Sequence, residues 1–87
     1  MYIIIPAYEP DKRLIQVVQD ITIKLPKARI IVVNDGSGPR YNDYYDETAF
    51  IGATVLTHPI NKGKGAALKT AFAYIQEEVV SQHLSAQ

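Results

Sequence analysis

Residues 30–38 decide the fold, and they read Ile30-Ile31-Val32-Val33-Asn34-Asp35-Gly36-Ser37-Gly38. A continuous β-branched run of this kind is typical of a strand that is buried in a parallel sheet. Open α/β sheets hold their ligands just beyond the carboxyl ends of such strands. The stretch therefore predicts a buried strand over residues 28–34, with a functional site at residues 34–38.

The composition is that of one small globular domain. The chain has 87 residues, of which 47% are hydrophobic and 21% charged, and a domain of this size buries only roughly 60–65% of its unfolded surface. Nine basic and nine acidic residues give a net charge of +0, so no overall field favours nucleic acid or an anionic membrane. Because cysteine is absent, disulfides and thiolate zinc sites are excluded.

The apolar run at the start of the sequence, residues 1–6, has no basic leader. It is too short for a signal peptide or a membrane span. We therefore expect no membrane segment in this chain and a cytoplasmic location.

Strand and helix patterns alternate along the chain. Apolar runs predict strands, and apolar residues at helical spacing predict helices. The strands fall at residues 2–6, 28–34 and 54–57, and the helices at 10–25, 41–51 and 65–80. The polar tail at residues 81–87 is expected to fray. This β-α-β-α-β-α order predicts an α/β fold in three layers, a parallel sheet with flanking helices.

In such a sheet the three strand ends, at residues 6–8, 34–36 and 58–59, lie on one edge, which is the candidate site. Asp35 is positioned to accept hydrogen bonds from a nucleotide base or ribose, but an Asp before Gly also caps its own turn in many proteins. Tyr8 offers a flat wall against a base, or else packs against the loop. The sequence leaves both pairs of interpretations open.

A third segment at this edge is the run Asn61-Lys62-Gly63-Lys64-Gly65-Ala66-Ala67-Leu68-Lys69-Thr70. Free N–H groups at a helix start, beside two lysines, favour a diphosphate. The alternative is a solvated loop that caps the helix. The run is not a phosphate-binding Walker loop, because Leu68 stands where that motif needs its second glycine.

Other arrangements of reactive residues are not supported. His58 and His83 are far apart and share no motif with a carboxylate, so we expect neither a metal pair nor a Ser-His-Asp arrangement. Ser37 is not in a nucleophile elbow. The acidic residues within 42–47 are expected to form a solvated face rather than a metal site.

Three segments together resemble the amino-terminal part of family 2 glycosyltransferases. They are Ile3-Ile4-Ile5-Pro6-Ala7-Tyr8-Glu9, Ile31-Val32-Val33-Asn34-Asp35-Gly36-Ser37 and Asn61-Lys62-Gly63-Lys64-Gly65-Ala66-Ala67-Leu68. The resemblance runs from Tyr2 to about Ile75. It implies a partial GT-A domain, which is Rossmann-like, with residues 1–80 as its amino-terminal nucleotide-sugar-binding half.

The resemblance also implies a role for each residue of these segments. The base and ribose pocket would be lined by Pro6, Ala7, Tyr8 and Glu9, and Asp35 would bind the base. Gly36 and Ser37 would keep their loop close to the nucleotide. The base and diphosphate side would be bordered by Lys62, Gly63, Lys64 and Gly65.

The sequence departs from the family pattern in two ways. Asn34 replaces an acid that often precedes Asp35, and Gly38-Pro39 replaces the usual Thr-Asp. The Asp-any-Asp metal motif and the catalytic base lie beyond this sequence, so we expect no catalytic or metal-binding residue here. Mg²⁺ or Mn²⁺ is expected for the full-length enzyme, together with membrane association in a longer form.

We therefore expect the chain to bind the nucleotide of a UDP- or GDP-type sugar donor without transferring the sugar to an acceptor hydroxyl by itself. The alternative is a non-catalytic nucleotide-binding or assembly module. In the resembling fold the first strand lies between the second and a fourth that this sequence lacks. The exposed apolar edge of residues 2–5 predicts self-association, because open edges pair with other strands.

Overall fold

The computed structural model describes the backbone of residues 1–85 and the side chains of residues 1–82. Strands and helices alternate throughout this part of the chain. In chain order the elements are β1 (Tyr2–Ala7), α1 (Lys12–Lys24), β2 (Arg29–Asp35), a 3-10 turn (Pro39–Tyr41), α2 (Asn42–Ile51), β3 (Thr54–His58) and α3 (Lys64–Ser85).

The three strands form one parallel sheet in the order β1-β2-β3. Ile5 lies opposite Val32 in the first pair of strands, and Asp35 lies opposite His58 in the second. Since all the strands run the same way, their carboxyl ends meet at one edge. The predicted α/β parallel sheet with flanking helices, a partial Rossmann-like GT-A domain, is confirmed.

The central strand β2 separates two hydrophobic cores. Successive residues of a strand point to opposite faces of the sheet. Ile30 and Val32 pack with α1 and α2 on one face, whereas Ile31 and Val33 pack with α3 on the other. Apolar residues are needed at every position because both faces are covered, which explains the uninterrupted run in the sequence.

Helix α1 carries recognisable signals at both ends. The side chain of Asp11 accepts a hydrogen bond from the Arg13 N–H at 2.9 Å, which caps the first turn. Hydrogen bonds from Arg13 lower the pKa of Asp11 to about 2. At the other end the Leu25 N–H donates to the Ile21 carbonyl at 2.7 Å, and Pro26 follows where the helix stops.

The last helix is longer than its pattern predicts. It begins at Lys64 and continues through Ser85, so the predicted end at residue 80 is wrong. The expected polar tail contains no glycine or proline, and Gln and Leu are good helix formers. Residues 86 and 87 of that tail lie outside the described residues. No helix within residues 1–85 is long and apolar enough to cross a membrane.

Strand β1 forms one edge of the sheet. Its six residues are neither fully buried nor fully exposed. Within the described residues it pairs on one side alone, with β2. Self-association through the other side stays a prediction.

The contribution of core burial to stability can be measured by comparing Ile31 with Ile23. Ile31 is 0% exposed and Ile23 is 77% exposed. We expect Ile31→Ala to lower the free energy of unfolding by about 2–5 kcal/mol, because it leaves a cavity, and Ile23→Ala to change it by less than about 0.5 kcal/mol. Urea unfolding followed by circular dichroism measures both. Equal losses would contradict this description of the core.

Candidate functional site

Asp35 is the centre of the polar cluster at the carboxyl edge of the sheet. It is the last residue of β2 and its side chain is buried. Its Oδ1 accepts from the Lys62 N–H at 2.9 Å and lies 2.8 Å from Nδ1 of His58. Its Oδ2 accepts from the Gly63 N–H at 2.8 Å. One carboxylate therefore holds the end of β3 and the loop that leads into α3.

These hydrogen bonds determine the charge of Asp35. The bond from His58, followed by those from the backbone of Lys62 and Gly63, holds the pKa of this carboxyl below its ordinary value. Asp35 is therefore an anion at neutral pH. A carboxylate offers about four acceptor positions, and three are filled here, so one position on Oδ2 is left for another donor.

His58 continues the cluster into the last helix. Its Nε2 lies 2.7 Å from Oγ1 of Thr70 in α3. No sequence motif links His58 to a carboxylate, but the register of β2 and β3 places His58 directly opposite Asp35. The available signal was positional: both residues end their strands, and neighbouring parallel strands end at the same edge.

A second set of hydrogen bonds joins the loop after β1 to the loop after β2. Ser37 Oγ accepts from the Glu9 N–H at 2.8 Å and lies 2.8 Å from the Tyr45 hydroxyl. Tyr45 donates its own proton to the Ala7 carbonyl at 3.2 Å, so the Ser37 hydroxyl must donate to Tyr45. Sequence analysis missed Tyr45, which lies in α2 and is buried.

Asn34, which departs from the family pattern, has a definite role in this turn. Its Oδ1 accepts a hydrogen bond from the Ser37 N–H at 3.0 Å. The amide thus closes the turn over the first glycine and aims Ser37 at the loop after β1. The turn needs an acceptor at this position, which Asn supplies without adding a second negative charge beside Asp35.

Gly36 lies where two loops touch. It has a φ of +72°, and a Cβ at this position would lie 2.2 Å from the Asn61 nitrogen and 2.3 Å from the Ile60 carbonyl carbon. Both are backbone atoms, so neither can rotate away. The close approach that requires this glycine is therefore to the loop after β3, and its approach to a nucleotide stays a prediction.

A cavity of about 70 Å³ opens between the predicted segments. It is much smaller than a complete ligand pocket of roughly 300–1,000 Å³. Its lining residues all belong to the predicted set: Pro6, Ala7, Tyr8, Asp35 and Lys64. Tyr8 is 52% exposed, and the charge of Glu9 raises its pKa. The cavity forms one wall of the candidate site.

The other predicted residues surround this cavity. Glu9 and Ser37 are joined by the hydrogen bond described above, and Lys62 and Gly63 bind Asp35 through their backbone. Gly65 lies in the first turn of α3, with no atom near its Cβ position. The structure brings the three segments together, and their roles toward a nucleotide stay predictions.

The chain is an open α/β domain with a parallel sheet. Proteins of this class bind their ligands at the carboxyl ends of the strands, where Asp35 lies. The chain belongs to glycosyl transferase family 2, whose model matches residues 2–81. A dolichyl-phosphate beta-glucosyltransferase of Trichomonas vaginalis is 30% identical over 90% of this chain. The chain spans 28% of that relative's length. No solved structure matches the chain significantly.

Gly36 and Gly38 form a matched pair for testing the contact between the loops. Both have positive φ, +72° and +86°, but no atom lies within 4 Å of a Cβ at Gly38. Gly38 has a φ of +86° and a ψ of 168°, a conformation that is essentially restricted to glycine, so we expect Gly38→Ala to cost about 1–3 kcal/mol through backbone strain alone. Gly36→Ala adds a backbone collision and should cost clearly more. Denaturant unfolding measures both, and equal costs would contradict the close approach.

Because folding lowers the pKa of Asp35, we expect its contribution to the free energy of unfolding to depend on pH. A carboxyl whose pKa is depressed by folding stabilises the protein above its unfolded value of 3.8, and this contribution is lost as pH falls through the folded value. The stability advantage of the natural chain over Asp35→Asn should therefore shrink as pH is lowered from 6 to about 3. A pH-independent difference, measured by urea unfolding, would contradict it.

Proposed function

We propose that this chain binds the nucleoside diphosphate of a nucleotide-sugar donor and forms the donor-binding portion of a family 2 glycosyltransferase. The observation that carries the proposal is Asp35, an anion with one unfilled acceptor position on the wall of the cavity. Family membership supports it, since residues 2–81 match the family model.

Asp35 is suited to recognise the base. Its remaining Oδ2 position accepts an N–H group, and among the four bases of ribonucleotides uracil and guanine carry a ring N–H on their pairing edge. This favours a UDP- or GDP-type donor. The half-exposed ring of Tyr8 lies on the same cavity, where it can stack on the base, a contact worth about 1–3 kcal/mol.

The diphosphate is assigned to the start of α3. The first hydrogen bond in this region of the helix runs from the Ala67 N–H to the Gly63 carbonyl at 3.1 Å, so the preceding amides of Gly65 and Ala66 lack partners within the helix. Lys62 and Lys64 add positive charge beside them. Because the amides of Lys62 and Gly63 already bind Asp35, the phosphates must be held by the later amides and the lysine side chains.

The residues at this site do not fit a divalent cation. Mg²⁺ prefers several oxygen ligands in octahedral geometry, whereas Asp35 is already surrounded by N–H donors. Among the described residues no group of three His, Asp or Glu side chains is placed to hold a metal. We propose that the Mg²⁺ or Mn²⁺ of the full-length enzyme is held by residues outside this site, and that the 87-residue chain does not turn over a sugar donor.

Titration of the isotopically labelled chain with UDP and GDP, followed by amide NMR shifts, tests the binding proposal. We expect shifts at Ala7, Tyr8, Asp35 and Lys64, and about tenfold weaker binding for Tyr8→Ala, the loss that follows from one base stack. Ile23→Ala, whose site is on the exposed face of α1, serves as the unaffected control.

The matching controls are pyrophosphate alone and ADP, which lacks the ring N–H on its pairing edge. Shifts that are equal for pyrophosphate and UDP would show that the base is not recognised. A hydrolysis assay of UDP- and GDP-sugars with Mg²⁺ or Mn²⁺ measures turnover, and clear turnover would contradict the expected inactivity of this chain.

A further inference from the structure

We propose that His58 is a positioning residue for nucleotide recognition, and that Thr70 holds it in that role. In this proposal His58 and Thr70 fix the orientation of the Asp35 carboxylate so that its unfilled position on Oδ2 stays directed to the base. The inference rests on the proposed function, which it deepens by adding two residues that do not themselves line the cavity.

The geometry is a continuous chain of hydrogen bonds through three elements. Asp35 ends β2, His58 ends β3 and Thr70 lies inside α3. The Asp35 Oδ1 to His58 Nδ1 distance is 2.8 Å, and the His58 Nε2 to Thr70 Oγ1 distance is 2.7 Å. His58 and Asp35 are 7% and 4% exposed, so water does not compete freely for these bonds.

The chemistry of the groups determines where the protons lie. Asp35 is an anion, so it can only accept, and His58 Nδ1 must carry the proton between them. In the neutral ring Nε2 is then an acceptor, and the Thr70 hydroxyl donates to it. Asp35 thereby selects the Nδ1–H tautomer, because the opposite tautomer would leave the lone pair of Nδ1 facing a carboxylate, and the Thr70 hydroxyl holds the ring by donating to Nε2.

Without His58 the Asp35 carboxylate would be held by two hydrogen bonds instead of three. The terminal torsion of an Asp side chain is broad, and the two remaining donors, the Lys62 and Gly63 amides, come from one loop. His58 adds a donor from a buried strand end and occupies Oδ1. The base is thereby directed to Oδ2, the oxygen that accepts a single bond.

The order Thr-His-Asp is also that of hydrolase triads. Here the Thr70 hydroxyl lies inside α3 and donates its proton to a hydrogen bond with Nε2 of His58. None of the three residues has a bond-making step in this role. His58 and Thr70 orient the acceptor oxygen of Asp35.

Three variants separate the links of this chain. Thr70→Val removes the hydroxyl at nearly constant volume and leaves the bond between His58 and Asp35. His58→Asn keeps a donor at the position of Nδ1, whereas His58→Ala removes it. Thr22→Val is the matched control, since Thr22 is also a helical threonine whose hydroxyl is bonded, to the Val18 carbonyl at 2.9 Å.

UDP and GDP titrations followed by NMR give the affinity of the folded fraction, and urea unfolding gives its stability separately. We expect His58→Ala to weaken nucleotide binding about tenfold, Thr70→Val about threefold, and Thr22→Val not at all, as loss of oriented hydrogen bonds predicts. His58→Asn should restore most of the affinity lost in His58→Ala. A purely structural role would change stability without changing the affinity of the folded fraction.

The tautomer of His58 is an independent readout, measured by long-range nitrogen–proton spectra of the free chain. We expect the Nδ1–H form both in the natural chain and in Thr70→Val, because Asp35 holds the proton on Nδ1 in both. An Nε2–H form would overturn the inference whatever the nucleotide data show. If the natural chain binds nucleotide and Thr70→Val and His58→Ala bind it equally well, the positioning role alone fails. If the natural chain binds neither UDP nor GDP, the proposed function fails and the inference fails with it.

Discussion

The hydrogen-bonded carboxylate of Asp35 is the interaction on which the arrangement of the site depends. A buried charge is costly unless donors surround it, and the donors to Asp35 come from the end of β3 and the loop that follows it. Meeting this requirement forces the loop at Asn61 against Gly36, where no side chain fits. The start of α3 is thereby placed beside the loop after β1, and three distant segments of the chain form one wall.

The fold was predictable because its signals are local. The β-branched run at residues 30–33, the cap at Asp11 and the stop at Pro26 each act within a few residues, so strand and helix order follow from the sequence. The contact between Asp35 and His58 is different, since it depends on the register of two strands whose ends are 23 positions apart. The role of Tyr45 was not predictable for a related reason. Its hydroxyl bonds to Ser37 and Ala7, which lie earlier in the chain, and no residue near Tyr45 in the sequence indicates these contacts.

Of the two interpretations of Asp35 that the sequence leaves open, the cap of its own turn is not what the structure shows, because Asn34 closes that turn and Asp35 accepts from the loop after β3. A carboxylate has more acceptor positions than the loop uses. The bonds from Lys62 and Gly63 give Asp35 a structural role, and the position left on Oδ2 is the one that the proposed base recognition uses. The hydrogen bond from His58, followed by those from Lys62 and Gly63, holds the pKa of Asp35 below its ordinary value, so the structural role also maintains the charge that base recognition would need.

The hydrogen-bonded site around Asp35 is compatible with a small hydrophobic core. Burial in this domain is concentrated in β2, where Ile31, Val32 and Val33 are fully buried, and the site begins where that strand ends. A strand held on both faces fixes the backbone position of Asp35. The loops need then only satisfy hydrogen bonds to this charged group, each worth about 1.5–3 kcal/mol net. The segments that gather around Asp35 are thus positioned at the end of the most deeply buried strand in the described part of the chain.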